Sequence, residues 1–291
     1  MAGPPQFLTR PAPRSAGPAA INSLETTTEG LWILQALCGI ETLPAILVCR
    51  PYVSAGGAPV DHPGISTLRE AGAIVGEHND VHPQIRLWLE TVGAPDLVLA
   101  CMVRRGGDHL RVAIARRGES SVSIVRHGDQ VSVENLGAQV TVAGLVERLL
   151  PLCGPQIAPG KFEAAMVPTA ELLGSLAQVL RGEHSAAVAL GRLGLTGDQR
   201  RIATLAADQP LVDMSMAAVT YCSNGDIEVS KAAASVADTA EGRVVLGPVR
   251  SGNGSWWTQI SPGTAVAVKS AVTNVLGTVG LRRWDDQVRR S

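Results

Sequence analysis

Aromatic side chains are scarce: two Phe, two Tyr and five Trp make up 3% of 291 residues, so Ala, Val and Leu must fill most of the core. Excess charge is lacking too. A formal net charge of -1 leaves no broad basic field for phosphate backbones, and no Lys/Arg cluster alternates with stacking aromatics, which argues against nucleic acid. No apolar run approaches the ~20 residues of a membrane span, and no signal-peptide block is visible. Residues 1–22 are rich in Pro and Ala and read as a disordered tail, because they sustain neither a ladder nor a helix. Cys38, Cys49, Cys101, Cys153 and Cys222 are odd in number and widely spaced, which fits reduced thiols in a cytoplasmic protein rather than a disulfide framework.

Catalytic patterns are missing as well. There is no G-x-S-x-G elbow and no phosphate-cradling G-x-x-x-x-G-K-[ST] loop. Cys49 and Cys101 sit in apolar runs, where a thiol stays protonated. His78 and His82 are four apart, but Pro83 argues against a continuous helix there and no third ligand follows, so a solvated loop is expected instead of a metal site. His62 and His127 are expected at surface turns, and Asp285 and Asp286 in a charged, fraying tail, 285–291. No cofactor is expected. One alternative stays open, an enzyme with an unrecognised pocket using Cys49, Cys101 or His82, which a close, buried Cys–His pair would mark.

What is present is a repeated order of elements. Residues 96–104, 109–117, 121–126 and 130–136 are strand-like runs separated by tight Gly- and Asp-containing turns. A helix opens at Thr141, sets Val142, Leu145, Val146, Leu149 and Leu150 on one stripe and stops before Pro151. The order recurs as runs 211–222, 227–238, 243–249 and 256–260, then a helix after Pro262-Gly263 that carries Val268, Val272, Val275 and Leu276 to an αL cap at Gly277. Neither unit can bury its sheet face alone, and meeting across a pseudo-two-fold axis covers both. The fold class is α+β, one domain over 23–284 with halves near 23–151 and 165–284.

Helices precede each meander. Thr27 or Thr28 caps one that carries Leu31, Leu34 and Cys38 and ends near Gly39. Residues 46–53 are expected as a strand, 54–64 as an exposed loop, and Thr67 and Glu70 open a short helix in capping-box spacing. After a loop at 77–82, Pro83 starts a helix with Ile85, Trp88, Leu89 and Val92 on one face. The second helical block spans 168–181, with Leu172, Leu173, Leu176, Val179 and Leu180, then 186–193, then a helix capped by Asp198 that carries Ile202 and Leu205.

The stretches Gly30-Leu31-Trp32-Ile33-Leu34-Gln35-Ala36-Leu37, Cys49-Arg50-Pro51-Tyr52-Val53 and His62-Pro63-Gly64 resemble the N-terminal signature of the EspG family. Ala94-Pro95-Asp96-Leu97, Ala115-Arg116-Arg117-Gly118, Val167-Pro168 and Ser261-Pro262-Gly263 add to it. The resemblance implies an EspG-like fold, a central, mostly antiparallel β-sheet with two α-helical bundles in pseudo-two-fold arrangement. It also implies a cytosolic chaperone of a mycobacterial type VII (ESX) secretion system and no enzyme. Such a chaperone binds the helical tip of PE–PPE heterodimers through the PPE subunit, keeps them soluble and confers system specificity before export, without nucleotide.

A groove between sheet and bundle suits an apolar wedge, and a polar rim sets partner choice. The rim candidates are Arg104, Arg105, Asp108 and His109 in the first meander turn, Arg200 and Arg201 on the second bundle, and Arg250, with Trp256 as an aromatic anchor. Some family members carry a long loop between the first two meander strands. Here that turn is bare, so contacts are expected to shift to the sheet and second bundle. Open sheet edges add a weak homodimer to the expectations.

Overall fold

A computed structural model describes residues 21–53, 59–222 and 225–286. Most of the tail 1–22, the first part of loop 54–64 (residues 54–58), residues 223–224 and residues 287–291 lie outside them. The chain enters as β1 (Ser23–Thr27), α1 (Thr28–Leu37), α2 (Gly64–Glu70), a small hairpin of β2 (Ile74–Val75) and β3 (Asp80–Val81), and α3 (Pro83–Gly93). The first meander is β4 (Leu97–Arg105), β5 (Asp108–Arg117), β6 (Ser120–His127) and β7 (Gln130–Gly137), closed by α4 (Val142–Leu149). Then come β8 (Ala165–Pro168), α5 (Thr169–Leu180), α6 (Ala186–Arg192) and α7 (Gly197–Asp208). The second meander is β9 (Val212–Tyr221), β10 (Ile227–Val229), β11 (Ala234–Thr239), β12 (Gly242–Arg250) and β13 (Trp256–Pro262), closed by α8 (Ala265–Thr278).

The strands form one sheet in the order β1-β7-β6-β5-β4-β9-β11-β12-β13-β8, with β10 beside β9. Read from either edge, the order is the same under exchange of halves. The halves join where β4 pairs antiparallel with β9, from Leu97 opposite Thr220 to Arg105 opposite Val212, centred on Cys101 and Met216. An antiparallel junction is what a two-fold axis between those residues requires. The hairpins of the first meander turn on Gly106, Gly118 and Gly128, each at φ 58, a conformation open to glycine at no steric cost.

Period-2 alternation assigns each strand residue to a face. Leu97, Leu99, Cys101 and Val103 of β4 share one face with Met214, Met216 and Ala218 of β9, and α4 and α8 cover it with Leu145, Leu149, Val268, Val272 and Val275. The helix α8 seats closely because Gly247 of β12 has no Cβ, which would stand 2.9 Å from Ala271 Cβ. On the other face α1 to α3 cover Val98, Ala113, Ala115, Val122 and Ile124, and α5 to α7 cover Val244 and Ile260.

The chain that leaves each closing helix crosses to the opposite half. After α4, Ala158 O accepts from Arg243 N at 2.8 Å and Gly160 N donates to Arg243 O at 2.9 Å. After α8, Trp284 Nε1 donates to Ser121 Oγ at 3.1 Å, and the Arg116 guanidinium donates to the carbonyls of Trp284 and Asp286. Arg116 with Ser121 and Asp238 with Arg243 are corresponding cross-strand pairs beside corresponding turns. The two straps are thus reciprocal.

Several local expectations change. Residues 46–53 form no strand: Ala45–Leu47 is a 3-10 turn, Val48 is left-handed at φ 50, and Arg126 Nη1 holds Leu47 O at 2.8 Å. The helix α2 starts at Gly64, where His62 Nδ1 accepts the Gly64 N–H at 3.1 Å, so Thr67 and Glu70 fall in its body and end instead of opening it. Part of the loop 77–82 is strand β3, reached through Asn79 at φ 59. Residues 227–238 are two strands, because the Ser230 hydroxyl accepts the Ala218 N–H at 3.1 Å and interrupts the ladder.

Gly277 does not end α8, which runs to Thr278 before Gly280 at φ 79. Asp198 lies inside the first turn of α7, where it pairs with Arg201 at 2.8 Å, and Thr196 holds the cap position. Asp286, expected to fray, accepts the N–H groups of Arg282 at 2.7 Å and Arg283 at 2.9 Å. Within the expected tail, Asn22 O accepts from Asn135 N at 3.2 Å.

Candidate partner-binding face

The bundles sit on the two ends of one sheet face and leave its middle uncovered. There Ala100, Met102 and Arg104 of β4 stand opposite Ala217, Ser215 and Asp213 of β9. These side chains are partly exposed, and Arg104 is the most exposed of them. Because most are small, the floor is a shallow trough. Toward the second bundle it drops into a cavity of about 260 Å³ lined by Leu172, Leu176, Val179, Leu180, Leu190 and Ile260. That volume lies below the ~300–1,000 Å³ of small-molecule sites and suits an inserted side chain. Leu180 is 89% exposed at the lip, and Leu173 stands out from the same helix, so α5 turns two of its expected core leucines toward solvent.

At the mouth of the cavity Arg104 Nε donates to Asp213 Oδ2 at 3.0 Å. Asp213 escaped the sequence reading. Its signal was the strict alternation of β9, in which Val212, Met214, Met216 and Ala218 are buried and the residues between them are not.

The other rim candidates divide between the two ends of the sheet. Arg105, Asp108 and His109 share the two-residue hairpin with Arg104, and Asp108 Oδ1 lies 3.5 Å from His127 Nε2. Arg201 stands at the same end, paired with Asp198 and with Glu241 in the β11–β12 turn. Arg200 packs over Gly191 of α6. Arg250 and Trp256 lie at the opposite strand end, the guanidinium carbon 5.9 Å from the ring centroid. The structure therefore groups Arg104, Arg105, Asp108, His109 and Arg201 at one end, keeps Arg200 on the second bundle against α6, and sets Arg250 and Trp256 at the other end.

The signature segments of the N-terminal half meet on the first bundle. Arg50 stacks 3.9 Å over Trp32, whose Nε1 donates to Pro51 O at 3.3 Å, while Tyr52 and His62 meet the ring edge-on. His62 Nε2 lies 3.2 Å from Glu29. His62 is half-buried here and more than a surface turn residue.

The cysteines and His82 lie away from this face. Burial pushes the Cys38 and Cys153 thiols up to about 11, and Cys101, wholly buried, higher still. Burial raises Cys49 too, and its Sγ lies 3.7 Å from Leu47 O. His82 caps α3, its Nδ1 accepting from Gln84 N at 3.2 Å on the face opposite Cys101. Among the described residues no group of three His, Cys, Asp or Glu could hold a metal ion, and no helix is long and apolar enough to cross a membrane.

The class these features define is an α+β protein built as two pseudo-symmetric halves around one sheet with an open middle. Within it, the chain belongs to the EspG family, whose model matches residues 27–274. It is 26% identical to the ESX-5 secretion-associated protein EspG5 of Mycobacterium marinum, over 91% of this chain and 97% of that protein. It is 30% identical to the ESX-2 secretion-associated protein EspG2 of Mycobacterium tuberculosis, over 87% and 94%. Among solved structures, it resembles the M. tuberculosis type VII secretion system chaperone EspG5 in complex with a PE25-PPE41 dimer. That match has a TM-score of 0.78 and 25% identity, and covers 90% of this chain and 99% of the other.

Proposed function

We propose that this chain is a cytosolic chaperone of a type VII (ESX) secretion system, that it binds PE–PPE heterodimers through the helical tip of the PPE subunit, and that it has no enzymatic activity. The carrying observation is the apolar cavity beside the second bundle, opening onto an uncovered sheet face with the Arg104–Asp213 pair at its mouth. The likeness to an EspG5 seen with a PE–PPE dimer supports the reading. The tip inserts an apolar side chain between α5 and the sheet, where burial contributes about 1.5–3 kcal/mol. Arg104, Arg105, Asp108, His109, Arg200 and Arg201 form the polar rim that selects among partners. Arg250 and Trp256 lie at the far strand end and contact the partner only if it spans the face.

The test is co-expression with each PE–PPE pair of the source genome, followed by affinity capture and light scattering on a sizing column. The expected result is a one-to-one-to-one complex with one or a few pairs, formed without nucleotide or metal. If the folded chain captured no pair, the reading would fail.

A further inference from the structure

The open trough does not end at the cavity. Eight residues along β9 from Asp213, Tyr221 stands opposite Ile227, and Val219 opposite Val229. This register puts Ile227 and Val229 on the same face as the floor residues Ala217 and Ser215. They are 60% and 56% exposed, two β-branched apolar side chains on a strand of three residues with nothing above them among the described residues. Between this patch and the Arg104–Asp213 pair, β9 carries no charge on this face, only Ser215, Ala217 and Val219, with Ala100 and Met102 of β4 beside them and Val98 buried under the first bundle. The floor is thus about 27 Å long at ~3.3–3.4 Å per residue.

We propose that Ile227 and Val229 form a second anchor for the same partner, taking apolar side chains from a helical segment of the PPE subunit that runs along β9 away from the inserted tip. The proposal rests on the PE–PPE reading and extends it from a point contact to a track. Both edges of β9 are already paired, with β4 on one side and β10 and β11 on the other, so no peptide strand can add to the floor strand itself. The outer edge of β10 pairs with no strand among the described residues, but three residues offer a short ladder, so side-chain packing along the floor, the mode of an amphipathic helix, is favoured. A floor of about 27 Å accommodates roughly 18 helical residues at ~1.5 Å each. Small floor residues let such a helix lie close, and the apolar patch then meets its seam about five turns from the tip.

The test compares the wild-type chain with the double variant Ile227→Lys, Val229→Lys, measuring affinity for a PE–PPE pair that the wild type captures, beside thermal unfolding and the mass of each free chain. The expected result is affinity at least about tenfold weaker, with an unchanged melting temperature because both side chains are exposed. An affinity within about twofold of wild type would overturn the second anchor while leaving the chaperone reading intact. Failure of the wild type to bind any pair would instead sink that reading. A free wild-type dimer that the double variant dissolves would assign the patch to a second copy of this chain and would also overturn the proposal.

Discussion

Arg243 and Asp238 form the most deeply buried ion pair described, with side chains 5% and 0% exposed and contacts of 2.6 and 2.8 Å. Replacing Arg243 with Ala strands a carboxylate in the interior and should cost about 3–5 kcal/mol in urea unfolding. Arg104→Ala is expected to behave differently. Arg104 is 61% exposed, so its loss should change stability by at most ~1 kcal/mol while weakening partner binding about tenfold. A binding isotherm and a melting curve on one preparation separate the two effects. The thiols carry a pH prediction. Cys38 and Cys153 titrate near 11 in the fold against 9.0 in the open chain, so the folded state holds protons the unfolded state releases. Stability should be complete below pH 9 and fall as pH rises toward 11, and Cys153→Val should flatten that fall in urea midpoints. Such residues were only partly legible. Periodicity placed Arg104 and Arg201, but their ion-pair partners Asp213 and Glu241 come from strands far apart in sequence, and spacing carries no trace of that.

At the scale of elements, meander strands and helix stripes read well because alternation and 3.6-residue spacing are local. The edge strands β1 and β8 were missed because they are short, and only pairing with β7 and β13 makes them strands. The segment 46–53 misled through its apolar run, whereas Pro44, Pro51 and the left-handed Val48 bend it into a turn that Arg126 grips. The reciprocal straps were beyond sequence reading, since they depend on which half each segment reaches. They are testable through Gly242, which sits at φ 120 where an added Cβ would stand 2.7 Å from Gly160 N and 2.8 Å from Ala158 O. Gly242→Ala should destabilise by about 1–3 kcal/mol. Gly107→Ala, with open space at its Cβ position, should cost less than ~0.5 kcal/mol. Thermal melts of the two variants side by side check the contrast.

For the whole molecule, the two-fold plan explains why one face is sealed and the other is not. The helices α4 and α8 meet over the junction of the halves, while the paired bundles stand apart on the outer strands. Repetition of the meander made this plan visible in the sequence. Where the open face holds its cavity was not visible, because that cavity is lined from α5, α6, α7 and five strands. The most direct measurement of the central claim is hydrogen–deuterium exchange on the chain alone and in its PE–PPE complex. Partner binding should protect α5, α7 and the turn from Arg105 to Asp108 and slow exchange along β9, while the exposed surface of α4 and α8 stays unchanged. Protection confined to α4 and α8, with none at the cavity or along β9, would contradict the account.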